Sequence, residues 1–280
     1  MRYVFILLSP FRIKVAERII SKIISTYPCN LLLKKTNAYK ITKINIFKCF
    51  PNNTDADNNA LAFESLKNSI ISFYETLYTW SRSEIKISKL GFKQENRFML
   101  LEQKATLFYS LHNRSIDLLL SLILLNNSVT TLYKTIKYKK LDAYVKTQRS
   151  KNRSTVATAS IGGVKAVIKS LKSRKDVCFA ADQVPADGFG IQSSFFDSAC
   201  YSSNLVESLS AREDIATCLV YLTKNEFGYI VSYDHLSSAQ ISTDEMNHIY
   251  QKIILKNPKE YSWEYKKFRK IKENKSLYSV

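Results

Sequence analysis

Lys104-Ala-Thr-Leu-Phe-Tyr-Ser-Leu-His112-Asn-Arg-Ser-Ile-Asp117-Leu-Leu-Leu-Ser-Leu-Ile-Leu-Leu125 divides into three parts by its chemistry. Ala105 to Leu111 is apolar, β-branched and aromatic, which reads as a buried strand. Asn113 to Ser115 is polar and able to open a helix. Ile116 to Leu125 is a dense aliphatic run, too long for a second strand, and reads as a buried helix. A histidine therefore stands where a strand ends, and an acid stands in the first helical turn that follows. On one continuous helix, two side chains at that spacing point well apart. With His112 in the strand-to-helix turn, Asp117 can reach back to Nδ1, fix the tautomer and leave Nε2 free as a base. Such a dyad suits removal of a proton from an alcohol that attacks an acyl group. The plainer alternative is a loop histidine and a helix-start charge favoured by the dipole.

Outward from this stretch, the two sides differ. Residues 1 to about 80 read as helical. Asn45-Ile-Phe-Lys-Cys-Phe-Pro51 ends one helix at its proline. Asn52 to Asp57 is turn and cap chemistry. Leu61, Phe63, Leu66, Ile70, Phe73, Leu77 and Trp80 then recur with a helical period. From Glu84 the pattern changes. Ile85 to Leu90 alternates as a strand, and Glu95 to Gln103 is short and helix-like. Beyond the opening stretch, strands at Val129–Tyr133, Thr155–Ala159 and Val177–Ala181 interleave with helices at Leu141–Gln148 and Gly162–Leu171. Leu205–Glu213 and Thr243–Leu255 are helical, and Ile215–Leu222 and Phe227–Tyr233 form a hairpin across a Lys-Asn turn. This order predicts an α/β fold: a mostly parallel central sheet flanked by helices, with an N-terminal helical region. The expected division is a helical region at 1–82, an α/β domain at 83–270 and a basic tail at 271–280.

The chain has 280 residues, 45% of them hydrophobic, enough for a sizeable core in one large domain. A formal net charge of +18 calls for an anionic partner: nucleic acid, an anionic membrane, a phosphorylated lipid or an acidic protein. The five cysteines form no CxxC pair and read as reduced structural thiols. No Gly-rich phosphate loop, HExxH motif or metal-spaced Cys/His cluster occurs, so no metal is expected. Val4 to Leu8 is far too short to cross a bilayer. Phe11 to Ile24 interleaves isoleucines with Arg12, Lys14, Arg18 and Lys22. This amphipathic basic helix suits either an anionic membrane surface or a core on one side and water on the other.

Four blocks, in order, resemble the lipid A biosynthesis acyltransferases of the lauroyl/myristoyl type. They are Asn45…Cys49-Phe-Pro51 with Glu75 on the following helix, and His112-x4-Asp117. After these come Ala181-Asp182-Gln183…Gly190 with Phe195-Phe196 and Ala199, and Pro258-Lys-Glu-Tyr-Ser-Trp263…Phe268-Arg269. Together they span about residues 40 to 270. The chain departs from the family pattern at Asp197, where a glycine is usual, and at Tyr265, where a histidine is usual. Lys266 and Lys267 replace paired arginines, and Asn113-Arg114 replaces a small or aromatic pair.

The resemblance implies a glycerolipid-acyltransferase-like fold and transfer of a fatty acyl chain from acyl carrier protein to a hydroxyl of a Kdo-lipid A precursor. It implies His112 as general base, with Asp117 orienting it and stabilising the imidazolium. Arg149 or Arg153 is the candidate cation for the oxyanion. Asp182, at the carboxyl end of a strand, binds or shapes the site with Gln183, or is simply a turn residue. Phe195 and Phe196 either line the acyl groove or belong to the core. Lys266, Lys267 and Arg269 are candidates to meet lipid phosphates or the acidic carrier protein. The expected location is the cytoplasmic face of the inner membrane, peripheral or weakly anchored, with no diffusible cofactor and no nucleic acid. Two competing readings are a same-family enzyme on another lipid acceptor, and a non-catalytic basic protein that binds nucleic acid or membrane. The second lacks any recognisable nucleic-acid module.

Overall fold

The computed structural model describes residues 1–96, 104–125, 127–151, 153–271 and 276–279. Five helices open the chain: α1 (Arg2–Leu8), α2 (Ile13–Ile24), α3 (Tyr27–Lys34), α4 (Asn37–Cys49) and α5 (Asp55–Ser81). The long helix α5 starts where its cap chemistry says it should. The Thr54 side chain accepts from the Asp57 amide, and Asp55 and Asp57 lie in the first turn against the positive end of the dipole.

Ile85 to Leu90, expected as a strand, is instead the short helix α6 (Glu84–Ser88). Ser83 occupies the N-cap position, and the helical turn buries Ile87 while Ile85 stays exposed. So short an alternation fits both periods, and packing selects the helical one. The strand β1 (Phe92–Glu95) begins only after Gly91 has turned the chain at φ +66°. The helix expected from Glu95 to Gln103 opens on the last residue of that strand, Asn96 follows in a bend at φ 61°, and residues 97 to 103 lie outside the described residues.

From there strands and helices alternate as expected: β2 (Ala105–Ser110), α7 (Ile116–Leu124), β3 (Val129–Tyr133), α8 (Lys139–Arg149), β4 (Thr155–Thr158), α9 (Ile161–Lys172) and β5 (Asp176–Ala180). A hairpin, β6 (Gly190–Phe195) and β7 (Ser198–Ser203), precedes α10 (Leu205–Ser210). The chain continues through β8 (Ile215–Lys224), β9 (Tyr229–Ser237) and α11 (Thr243–Lys256). Among the described residues, seven strands form one sheet in the order β1-β9-β8-β2-β5-β3-β4, parallel throughout except for the β8–β9 hairpin.

The sheet is covered on both faces, as parallel sheets are. Alternate residues of β2 sort into two cores. Leu107 and Tyr109 pack with Ile46 of α4, Leu66 of α5, Val167 of α9 and Tyr250 of α11. Phe108 packs on the other side with Leu118 and Leu122 of α7, Tyr78 of α5 and Ile13 of α2. The N-terminal helices therefore help to close both layers. The separate hairpin β6–β7 was not legible, because its serine-rich strands carry little apolar alternation. Its two-residue turn holds Phe196 and Asp197 at φ 49° and 54°, the left-handed pair a tight hairpin needs. Asn247 of α11 donates to the Ser194 carbonyl and ties the hairpin to the main body. All five cysteines are unpaired, and burial pushes the Cys178 and Cys218 thiols up to about 12.

Candidate active site

The register of the central strands builds the site. Ser110 at the end of β2 pairs with Ala180 at the end of β5. The pairing runs one step further, with the Ala181 amide donating to the Ser110 carbonyl. Two residues beyond each strand end stand His112 and Asp182, and parallel register places them side by side. His112 Nδ1 lies 2.7 Å from Asp182 Oδ1, and the His112 amide donates to Oδ2 at 3.1 Å. The carboxylate thus fixes both the ring and the backbone that carries it. On the far side of the ring, the Gln183 amide nitrogen lies 3.2 Å from Nε2. With Nδ1–H donated to Asp182, Nε2 carries the free lone pair and accepts from Gln183.

Asp117 does not orient His112. It forms a bidentate pair with Arg149, Nε to Oδ1 at 2.8 Å and Nη2 to Oδ2 at 2.9 Å. The reason is geometric. Asp117 sits inside α7, which departs from the sheet toward α8, and Arg149 is the last residue of α8. The Arg149 guanidinium also lies over the Tyr133 ring, 4.9 Å from its centre. His112 and Asp117 nevertheless line the same cleft, with Arg149 and Gln183.

Electrostatics follow from these partners. Burial works against a charged His112, but Asp182 outweighs it, and the imidazole is more basic than usual. Burial alone would raise the Asp182 carboxyl, yet His112 and then Lys267 hold it below the usual carboxylate range. Asp117 is likewise held down against burial by Arg149. Behind the dyad, Lys267 is buried and donates to the Asp182 carbonyl at 2.7 Å. Burial pulls its ammonium pKa below the ordinary lysine value.

The cleft has a volume of about 1120 Å³. One wall is Ser72, Phe73, Thr76 and Trp80 of α5. Leu119, Leu120, Leu132, Val145 and Val164 give the cleft an apolar lining. Arg269 and Lys270 stand at its edge with the 185–189 loop. Lys270 is anchored there by the Pro185 carbonyl at 2.6 Å and the Asp187 carboxylate at 2.7 Å.

Several expected residues lie elsewhere. Arg153 is exposed in a turn at φ 59° and does not line the cleft, because the chain leaves α8 away from it. Phe195 and Phe196 are core, packed edge-on to each other with centroids 5.0 Å apart and against Trp263, Phe268 and Phe50. Lys267 is sequestered under Asp182, and Lys266 lies over the Tyr278 ring at 5.7 Å. Of the basic trio, Arg269 alone reaches the cleft.

Other residues went unrecognised. Arg114, at φ 60°, buries its guanidinium between Glu75 of α5 and Glu260, bonding Glu260 Oε1 at 2.8 Å. The Tyr229 hydroxyl donates to the same Glu75 oxygen, and the Arg114 amide donates to the Glu260 carbonyl. The Ser262 amide donates to the His112 carbonyl. The turn that carries His112 is thereby clamped between α5 and the C-terminal segment. A signal did exist: Arg114 stands just past a buried strand, at a position where the family has a small or aromatic residue, and a buried arginine needs acids as partners. Which acids it meets is a matter of tertiary structure.

An imidazole with an oriented tautomer, a nearby guanidinium and apolar lining in one cleft can run acyl transfer to a hydroxyl. No group of three or more His, Cys, Asp or Glu side chains able to hold a metal occurs among the described residues. The fold and cleft define an α/β acyltransferase. The chain belongs to the bacterial lipid A biosynthesis acyltransferase family, whose family model matches residues 4–270. A search among curated proteins finds no match.

Proposed function

We propose that this lipid A acyltransferase moves a fatty acyl chain from acyl carrier protein to a hydroxyl of a Kdo-lipid A precursor. The observation that carries the reading is the pairing of His112 Nδ1 with Asp182, which leaves Nε2 facing the cleft. The acceptor hydroxyl displaces the Gln183 amide from Nε2 and gives its proton to that nitrogen. Its oxygen attacks the donor's thioester carbon, and the tetrahedral oxyanion forms near Arg149, held in place by Asp117. The C–S bond then breaks, and the departing thiolate takes the proton back from the imidazolium. Asp182 stabilises the imidazolium between these steps. The acyl chain lies along the apolar lining, while Arg269 and Lys270 meet phosphate or the acidic carrier protein. The enzyme works at the cytoplasmic face of the inner membrane.

The test is acyl transfer in vitro. Purified protein receives acyl carrier protein loaded with different chains and a tetra-acylated Kdo-lipid A acceptor, with products read by mass spectrometry. The expected result is a mass gain of one acyl chain, lost in His112→Ala. Folded protein that transfers no chain from any donor would overturn the assignment. Transfer to a different lipid acceptor would keep the chemistry and change the substrate.

A further inference from the structure

One carboxylate in the cleft has no part in the proposed mechanism and no cation paired with it. Tyr261 and Trp263 are buried in the core, while Ser262 and Glu264 are half-buried and line the cleft with His112. The Ser69 hydroxyl of α5 donates to Glu264 Oε2 at 2.8 Å. Among the described residues, Oε1 accepts no hydrogen bond and the carboxylate forms no ion pair. Three cations that line the same cleft are already committed to other acids. Arg114 faces Glu75 and Glu260, Arg149 faces Asp117, and Lys270 faces Asp187.

The surroundings of Glu264 are hydroxyls. Ser69, Ser72 and Thr76 follow one another at three and four residues along α5, so they share one helix face, and all three line the cleft. Ser262 adds a fourth hydroxyl from the C-terminal segment. The cleft is thus divided in character. Arg269 and Lys270 offer positive charge at its edge, whereas this wall offers neutral hydroxyls and one negative oxygen.

The sign of that charge is informative. In a chain of net charge +18, a cleft that takes a phosphorylated lipid and an acidic carrier protein is expected to keep free carboxylates out, because like charges across a binding surface cost affinity. A carboxylate retained there is useful where it makes a contact of its own. An ionised carboxylate is a pure acceptor, and its hydrogen bonds are about twice as strong as those between neutral groups. Its complement is an N–H or O–H donor, not a phosphate. Glu264 also lies near enough to His112 to add to the basicity of the imidazole, so a group bonded to Glu264 is a near neighbour of the base. We propose that Glu264, with Ser69, Ser72 and Ser262, forms a subsite for the sugar head of the acceptor lipid, in which Glu264 accepts a hydrogen bond from a neutral hydroxyl or amide N–H and so orients the attacking hydroxyl toward His112. The identity of the acceptor as a sugar lipid rests on the proposed function.

Binding and kinetics test it, with a tetra-acylated Kdo-lipid A precursor in detergent micelles as the probe. Calorimetric titration without donor gives the precursor's Kd, and transfer from acyl carrier protein gives KM for each substrate. Glu264→Ala should raise Kd and KM for the acceptor by about tenfold to a hundredfold, the loss of one charge-assisted hydrogen bond. Glu264→Gln keeps an acceptor oxygen without the charge and should fall between Glu264→Ala and the wild type. KM for the donor should not move in either variant. Circular dichroism checks that both fold. The opposite sign overturns the proposal: a carboxylate that touches no ligand only repels phosphate, so Glu264→Ala would then bind the precursor as well as the wild type or more tightly. Equal losses in KM for donor and acceptor would also overturn it, since they mark a distorted cleft. So would a wild type that does not bind the precursor at all. The proposed function fails separately. A wild type that binds the precursor but transfers no acyl chain loses that function, while the Kd of Glu264→Ala still decides the subsite.

Discussion

At the scale of single residues, two carboxylates divide two tasks. Asp182 holds His112 and Asp117 holds Arg149, so on the mechanism proposed above their removal should separate in kinetics. Asp182→Asn should lower kcat by about 10³–10⁴-fold, because the imidazole loses the partner that sets its tautomer. It should also move the acid limb of the kcat/KM profile to lower pH, since Asp182 is what raises His112. Asp117→Asn should cost less, about 10²–10³-fold, by loosening Arg149. Stability carries the same signature. The raised His112 stabilises the fold fully below its ordinary value of 6.5 and loses that contribution as pH rises through its folded pKa. The lowered Asp182 contributes fully above its ordinary 3.8 and loses it as pH falls through its folded pKa. The melting-temperature gap between wild type and Asp182→Asn should therefore be widest between those two values. The position of His112 just past a strand end was legible from the apolar run before it. Its true partner was not, because Asp182 lies far along the chain. Only the adjacency and register of β2 and β5 bring the two together; without the strand order, the nearer acid looked the better partner.

At the scale of elements, joints carry the information that periodicity does not. Helix and strand positions in the α/β region were readable from apolar runs, since a sheet buried on both faces leaves continuous hydrophobic strands. The joints depend on backbone conformation and on distant partners. Arg114 is one such joint, tying α5, the β2–α7 turn and the C-terminal segment. Arg114→Ala should destabilise the protein by about 3–5 kcal/mol, measured by denaturant titration, because it strands two carboxylates in the interior. The loss should shrink at low pH, as burial raises the Glu260 carboxyl and lets it take up a proton. The β6–β7 turn is another. Asp197 holds a left-handed backbone at φ 54°, a conformation aspartate tolerates and glycine adopts freely. Asp197→Gly should stabilise by up to about 1 kcal/mol, seen as a higher melting temperature. The departure from the family pattern at this position is thus one of turn energetics, outside the cleft.

At the scale of the whole molecule, the boundary expected near residue 82 is not a break in the core. Ile46 and Leu66 from the helical region share one cluster with Tyr109 and Phe179 of the sheet, and Tyr278 from the C-terminal end joins it. Calorimetry should therefore show a single unfolding transition for the full chain. A fragment beginning at residue 83 should fail to fold, since it loses Glu75 and the layers that α4 and α5 provide. Composition could not reveal this: a helical stretch followed by an α/β stretch looks like two units until the shared packing is seen.

The Gln183 amide on Nε2 bears on waste. A loaded thioester beside an unoccupied base would be open to attack by water, and the activated acyl group would be lost as free fatty acid. On the proposed mechanism the Gln183 amide takes that lone pair and keeps the base idle until an acceptor hydroxyl competes for it. Gln183→Ala should accordingly raise hydrolysis of the acyl donor relative to transfer, read as fatty acid released in the absence of acceptor. Equal hydrolysis in the variant and the wild type would show that the amide guards nothing. If hydrolysis rises in the variant, the residue beside the dyad sets how faithfully each donor is spent, while the dyad sets how fast.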